Sequence, residues 1–225
     1  MKNIKISMFI LALMLMMNAI KAQTINWGSF DSSDKHILNV NAAIEYGTVF
    51  GVGYGYQIKN KLFPMTANLE YSFASGDKIF DDMKIKVGVQ VRWVEFHNFQ
   101  FSTRLLGVIR RNRNDYVRLV DFGSDLTGVI GYYRKNWFIA GEVGFDKAII
   151  THFKHSNVYH EQYPGAVDGW YGPTTGGNFY YGVQAGFSFG NNDVYMKAGK
   201  MLTQDFKTTP IVPVYAQLGY NLKLK

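Results

Sequence analysis

The chain has 225 residues, 16% of them aromatic, carries a formal net charge of +7 and contains no cysteine. The missing thiols exclude disulfides, thiolate metal sites and lipid attachment through an N-terminal cysteine. The positive charges are scattered and accompany no nucleic-acid-binding module, which argues against nucleic acid as a partner.

Lys2 and Lys5 precede an apolar run from Met8 to Met17, and Ala22 before Gln23 offers a small-residue cleavage point. This is the pattern of a secretory signal peptide over residues 1–22. The run is shorter than the roughly 20 apolar residues that a membrane-crossing helix needs. Taking 22 residues from 225 leaves 203, and losing Lys2, Lys5 and Lys21 lowers the charge from +7 to +4. That length suits a single domain. Residues 23–36 lack steady alternation and read as a polar lead-in, with the domain proper at 37–225.

From Leu38 onward, apolar residues recur at every second position in segments of about ten, the rhythm of a strand with one face in an apolar medium. Leu38, Val40, Ala42, Ile44 and Tyr46 open the series, and Phe50, Val52, Tyr54, Tyr56 and Ile58 continue in the same phase. A loop of Gly47 to Val49 between them would pair Tyr46 with Phe50 and Ile44 with Val52. Phe63 to Phe73, Ile85 to Trp93 and Phe99 to Ile109 carry the next three patterns. Leu126, Ile130 and Tyr132 mark a weaker one, and Trp137, Ile139, Val143, Phe145 and Ile149 a strong one. Phe179 to Phe189, Val194 to Leu202 and Val212 to Leu224 complete the set. Short turns are expected at 59–61, near His97, at 134–136 and at 191–193, alternating with longer connections at 74–83, 111–121, 151–177 and 204–211.

These features predict an all-β fold: a transmembrane, antiparallel, up-and-down β-barrel of about ten strands, with eight as the fallback. An even count follows if both termini lie on the short-turn side, and it requires a break at Gly47. Aromatic residues in the apolar phase flank the short turns, among them Tyr56, Phe63, Trp93, Phe99, Tyr132 and Trp137, as in a membrane-interface girdle. The opposite phase carries Glu45, Glu70, Arg92, Arg104, Glu142 and Lys197, a charge network expected to fill a narrow lumen. Lys147 and Lys200, with Arg110, Arg111 and Arg113, suggest a basic outer rim able to meet lipopolysaccharide phosphates.

The loop after Ile150 is the candidate site. His152, His155 and His160 are dense enough to suggest a metal, but their spacing matches no standard zinc pattern and places no acidic ligand. No metal and no cofactor is therefore expected. His155, Ser156 and Asn157 partly resemble the His-x-Ser-Asn signature of outer-membrane lipid A deacylases, in which a histidine activates a nucleophilic serine. Here His155 and Ser156 are adjacent, so on a strand they point to opposite faces. His152, His155 and Ser156 are the candidates for that chemistry, without an acid to orient either histidine. His160, Tyr163, Trp170 and Tyr171 are the candidate binding residues.

Over some 180 residues the pattern resembles the small outer-membrane β-barrels, and the Ala22–Gln23 boundary is similar to those of Bacteroidota. The resemblance implies an integral protein with long loops outside and both termini periplasmic. The narrowness of a ten-stranded ring predicts a plugged polar lumen, and the long aromatic, Gly-rich loop through Tyr163, Trp170 and Tyr171 points to a non-enzymatic binding or accessory role in an outer-membrane complex, with a deacylase-like hydrolase or a small channel as alternatives. Outer-membrane lipid, lipopolysaccharide and other outer-membrane proteins are the expected partners. Such barrels commonly end in an aromatic residue, whereas this chain ends Asn221-Leu222-Lys223-Leu224-Lys225.

Overall fold

The computed structural model describes residues 24–225, except 32, 45, 46, 59, 61, 76–80, 173–176, 208, 209 and 211. The expected signal segment and Glu45 lie outside the described residues. The strands are β1 (His36–Ile44), β2 (Thr48–Ile58), β3 (Met65–Ala74), β4 (Met83–Phe96), β5 (Phe99–Arg113), β6 (Val117–Tyr133) and β7 (Trp137–His155). A short helix α1 (Asn157–Gln162) follows, then β8 (Gly169–Tyr171), β9 (Gly177–Phe189), β10 (Asn192–Thr203) and β11 (Val214–Leu224).

Each long strand pairs antiparallel with its neighbours in sequence, except that β7 pairs with β9. The pairing of β1 with β11 joins first to last, so ten strands close into an up-and-down barrel. β8 stands apart from the ring as three residues hung on the upper end of β7. Closure leaves the ring without a strand edge, so its backbone donors and acceptors are satisfied from strand to strand.

The residue distribution is the inverse of that in a water-soluble protein. Outward positions hold large apolar side chains, with Ile130 62% and Val183 60% exposed, while inward Asn221 and Thr127 are 0% exposed. Glu70, Arg104, Glu142 and Lys197 are all buried in the same inward phase. Inside, glycines opposite aromatics make the space fill. A Cβ on Gly219 would come within 2.2 Å of the Tyr195 ring, and one on Gly144 within 2.3 Å of the Tyr180 ring.

Three expectations need correction. In the β1–β2 hairpin Ile44 pairs with Thr48 and Ala42 with Phe50, so the register differs from the expected one by four residues. A shift by an even number keeps every side chain on its own face, so alternation cannot detect it. The connection expected at 111–121 is a tight turn of residues 114–116, in which Asn114 Oδ1 accepts the N–H groups of Tyr116 (2.9 Å) and Val117 (2.8 Å). The loop expected from residue 151 begins later, because β7 continues to His155.

Strand height is uneven. β5, β6 and β7 have 15, 17 and 19 residues, against 9 in β1 and 11 in β11. At ~3.3 Å per residue and a ~40° tilt, the surplus of β7 over β11 rises roughly 20 Å above the barrel wall. A bulge leaves Ile149 unpaired between Phe122–Ile150 and Gly123–Ala148, which inverts the phase of β7 above it. Beyond the bulge Thr151, Phe153 and His155 take the inward side, and Ile150, His152 and Lys154 the outward side.

Candidate functional site

The lumen is built in layers. At the short-turn end the expected lead-in folds inward. Asn26 is fully buried, Ile25 2% and Trp27 3% exposed, and they cluster with Ile37, Tyr133, Phe138 and Tyr195. Asn26 Nδ2 donates to Ser188 Oγ (2.7 Å) and to the Arg134 carbonyl (3.0 Å). Asn221 Nδ2 donates to the Thr24 carbonyl (2.6 Å). Lys223 Nζ, 3.0 Å from Asp193 Oδ1, also donates to Ser29 Oγ at 2.7 Å. The expected lead-in is thus a plug, held by β9, β11 and the turn between β6 and β7.

Above the plug lie two buried ionic clusters. Lys197 Nζ donates to Glu142 Oε2 (2.9 Å), and the Tyr215 hydroxyl donates to Glu142 Oε1 (2.7 Å). Lys86 pairs with Asp125, whose other oxygen accepts from the Tyr180 hydroxyl (2.7 Å) and from Thr127 (3.2 Å). Arg104 Nη2 donates to Thr127 Oγ1 (3.2 Å). Arg110 pairs with Asp146 near the upper end, so it points into the barrel and does not belong to the outer rim.

Of the six charges expected in the lumen, Glu142 and Lys197 meet, Arg104 joins the Asp125 cluster, and Glu70 is buried among the inward residues. Arg92 sits lower, 2.9 Å from Glu95 and with its guanidinium 5.7 Å from the centre of the Trp27 ring. Alternation also puts Lys86 and Asp146 in the inward phase, outside the expected network, whereas Asp125, Asp193 and Lys223 went unrecognised although each lies in the inward phase of its strand.

The second region is the cap above the wall. His152 packs edge-on against Trp170 (4.8 Å between ring centres), and Phe122 lies 5.8 Å from the same indole. Phe153 meets Tyr171 at 5.5 Å. Ser156 is the N-cap of α1, its Oγ accepting the Tyr159 N–H at 3.3 Å. His155 Nδ1 lies 2.8 Å from Asp168 Oδ1, and its backbone N–H donates to the same oxygen at 2.8 Å. His160 Nε2 is 3.6 Å from that oxygen. The backbone and then the ring hydrogen bonds from His155 hold the Asp168 carboxyl below the usual carboxylate range.

The acid that the sequence did not place is therefore Asp168, and it joins His155 to His160. The proposed nucleophile is engaged elsewhere: Ser156 faces the helix, His155 faces Asp168 and His152 faces Trp170. Tyr163, Trp170 and Tyr171 remain exposed on the cap surface.

On the outer surface of the tall wall, Arg113 pairs with Arg118 and Arg118 with Lys154, three exposed cations in one row across β5, β6 and β7. Like charges in register destabilise a sheet, so the row favours an anion as counter-charge. Two pairs lower on the same face stand Ile109, Phe122 and Ile150, all exposed apolar.

These features define the class: a closed, inside-out β-barrel of the kind that crosses a membrane with strands, here filled by side chains and its own N-terminal segment. No family model matches the chain, and no curated protein matches it in sequence. Among solved structures it is similar to one described as "KdgM porin", with 11% identity and a TM-score of 0.43, covering 84% of this chain and 99% of that one. It is similar also to one described as "NanC porin", with 12% identity and a TM-score of 0.42, covering 83% of this chain and 100% of that one.

Proposed function

We propose that this protein is an integral outer-membrane barrel with a closed lumen, a non-enzymatic binding or accessory component whose cap faces the outside and meets lipopolysaccharide and other outer-membrane proteins. The observation that carries the reading is the packing of residues 24–29 inside the barrel beneath the buried ion pairs. A ten-stranded ring is narrow, and here its inward side chains and residues 24–27 are themselves buried. Residues 24–29 and the end of β11 share the short-turn rim, which in this orientation faces the periplasm.

The lipid assignment is supported by height. The Arg113–Arg118–Lys154 row stands just above outward Ile109, Phe122 and Ile150, where the apolar belt gives way to headgroups, and guanidinium groups suit phosphate. His160, Tyr163, Trp170 and Tyr171 would then offer protein partners a partly aromatic surface above the lipid. Side chains of this kind anchor interfaces by large contact area with a polar edge.

Single-channel recording in planar bilayers tests the closed lumen. The full chain is expected to give no discrete steps, and a variant lacking residues 24–30 is expected to give them. Steps from the unaltered chain would favour a channel instead. On the same preparation, Arg113→Glu combined with Arg118→Glu is expected to release most co-purifying lipopolysaccharide. Retention equal to that of the parent would remove the row from lipid binding.

A further inference from the structure

We infer that His155, His160 and Asp168 form a binding site on the cap for one divalent first-row transition metal ion of the zinc type. The three come from three different elements: His155 ends β7, His160 lies in α1, and Asp168 immediately precedes β8. Their donor atoms all lie within 4.8 Å of one another, with Asp168 Oδ1 at 2.8 Å from His155 Nδ1 and 3.6 Å from His160 Nε2. Tetrahedral zinc with bonds of about 2.0–2.1 Å places its ligand atoms roughly 3.3 Å apart. The cluster brackets that spacing, so small side-chain rotations bring all three donors onto one ion.

The chemistry of the donor set fits the same ion. Two imidazoles and one carboxylate suit zinc and its neighbours, whereas calcium and magnesium require mostly oxygen ligands. Coordination through His155 Nδ1 uses the tautomer that carries its hydrogen on Nε2, which leaves the Nδ1 lone pair for the ion. The backbone N–H of His155 still donates to Asp168 Oδ1 and orients the carboxylate, as outer hydrogen bonds do in metal sites.

The ligands are also pre-positioned. The His155 ring stacks on Tyr159 at 4.7 Å, and the rings of His155 and His160 lie edge to face at 5.7 Å. Ser156 caps the helix that carries His160, and the Tyr163 N–H closes its far end on the Tyr159 carbonyl at 2.8 Å. Asp168 and His160 are both partly exposed, which gives an ion an entry path and leaves a coordination position for water. An ion held here ties the end of β7, α1 and the start of β8 into one unit, fixing the arrangement of the exposed aromatics of the cap. The inference does not depend on the lumen being closed.

The test is calorimetric titration of Zn²⁺ into the full, untagged chain in detergent, with folding verified by the heat-dependent mobility shift of the barrel. One ion per chain is expected. His160→Ala and Asp168→Ala should each weaken binding at least about tenfold. His152→Ala, which alters a ring packed on Trp170 outside the cluster, should leave it unchanged, and millimolar Mg²⁺ should not displace the zinc. The inference is overturned by no zinc uptake in the parent chain, by undiminished binding in both ligand variants, by loss of binding in His152→Ala, or by displacement with Mg²⁺.

Discussion

The lower lumen and the outer cap are made by the same β-sheet yet hold together in opposite ways. In the lumen, polar and charged side chains are sealed from solvent and must satisfy one another, so each contact is coupled to several more. Glu142 binds both Lys197 and Tyr215, and Asp125 binds Lys86, Thr127 and Tyr180. In the cap, water reaches the outward faces, and single turns and ring contacts such as Ser156–Tyr159 or His152–Trp170 fix the chain locally. The lesson is that burial, and not the chemistry of the pair, sets how much one substitution disturbs.

The sharpest way to break that contrast is Lys197→Ala. It leaves the carboxylate of Glu142 buried without its main counter-charge, and removing one partner of such a pair costs about 3–5 kcal/mol. A drop of this size in urea unfolding in detergent is expected. Lys197→Met with Glu142→Leu should recover most of it, because apolar residues of similar volume need no counter-charge. A loss below about 1 kcal/mol for the single variant would mean that water reaches the pair, and the distinction between the two regions would fail.

Ser156→Ala probes the other side and should have the smaller effect. Losing the N-cap oxygen costs about 1 kcal/mol, confined to α1. Hydrogen exchange should quicken at Tyr159 and His160 while the β1–β11 ladder keeps its protection. Equal quickening at both places would show the cap to be coupled to the barrel more tightly than its contacts imply.

The same contrast explains what could be read from sequence. Within the barrel wall, alternation separated the two faces correctly: outward Leu38, Val52 and Ile130 against inward Glu70, Arg104 and Lys197. The ten-strand ring and the position of the aromatics near the short turns were legible for the same reason. Alternation could not fix the β1–β2 register, since even shifts preserve both faces. It failed above the wall, where each face of β6 and β7 mixes polar and apolar residues and the Ile149 bulge inverts the phase, so strand was taken for loop.

The candidate site was legible only in part. Histidine density marked the right segment, but Asp168 lies 13 residues from His155 and is brought to it by a helix and a turn, which leave no periodic trace. The plug was hidden for a related reason. Ile25, Trp27 and Phe30 are three apolar residues in a polar stretch, too few to form a pattern, and what buries the first two is the cavity of the finished barrel.

Lys223 and Asn221, near the end of the chain, hold Ser29 and Thr24 near its start, and Lys35 donates its N–H to the Leu224 carbonyl at 2.8 Å. These are contacts across almost the whole polypeptide, the kind that forms slowly because a long loop must first be closed. Seating the early segment and shutting the ring therefore draw on the same stretch of β11, so each favours the other. Before β1 meets β11 the nascent barrel would be an open, curled sheet, whose unpaired first and last strands must be shielded until they find each other.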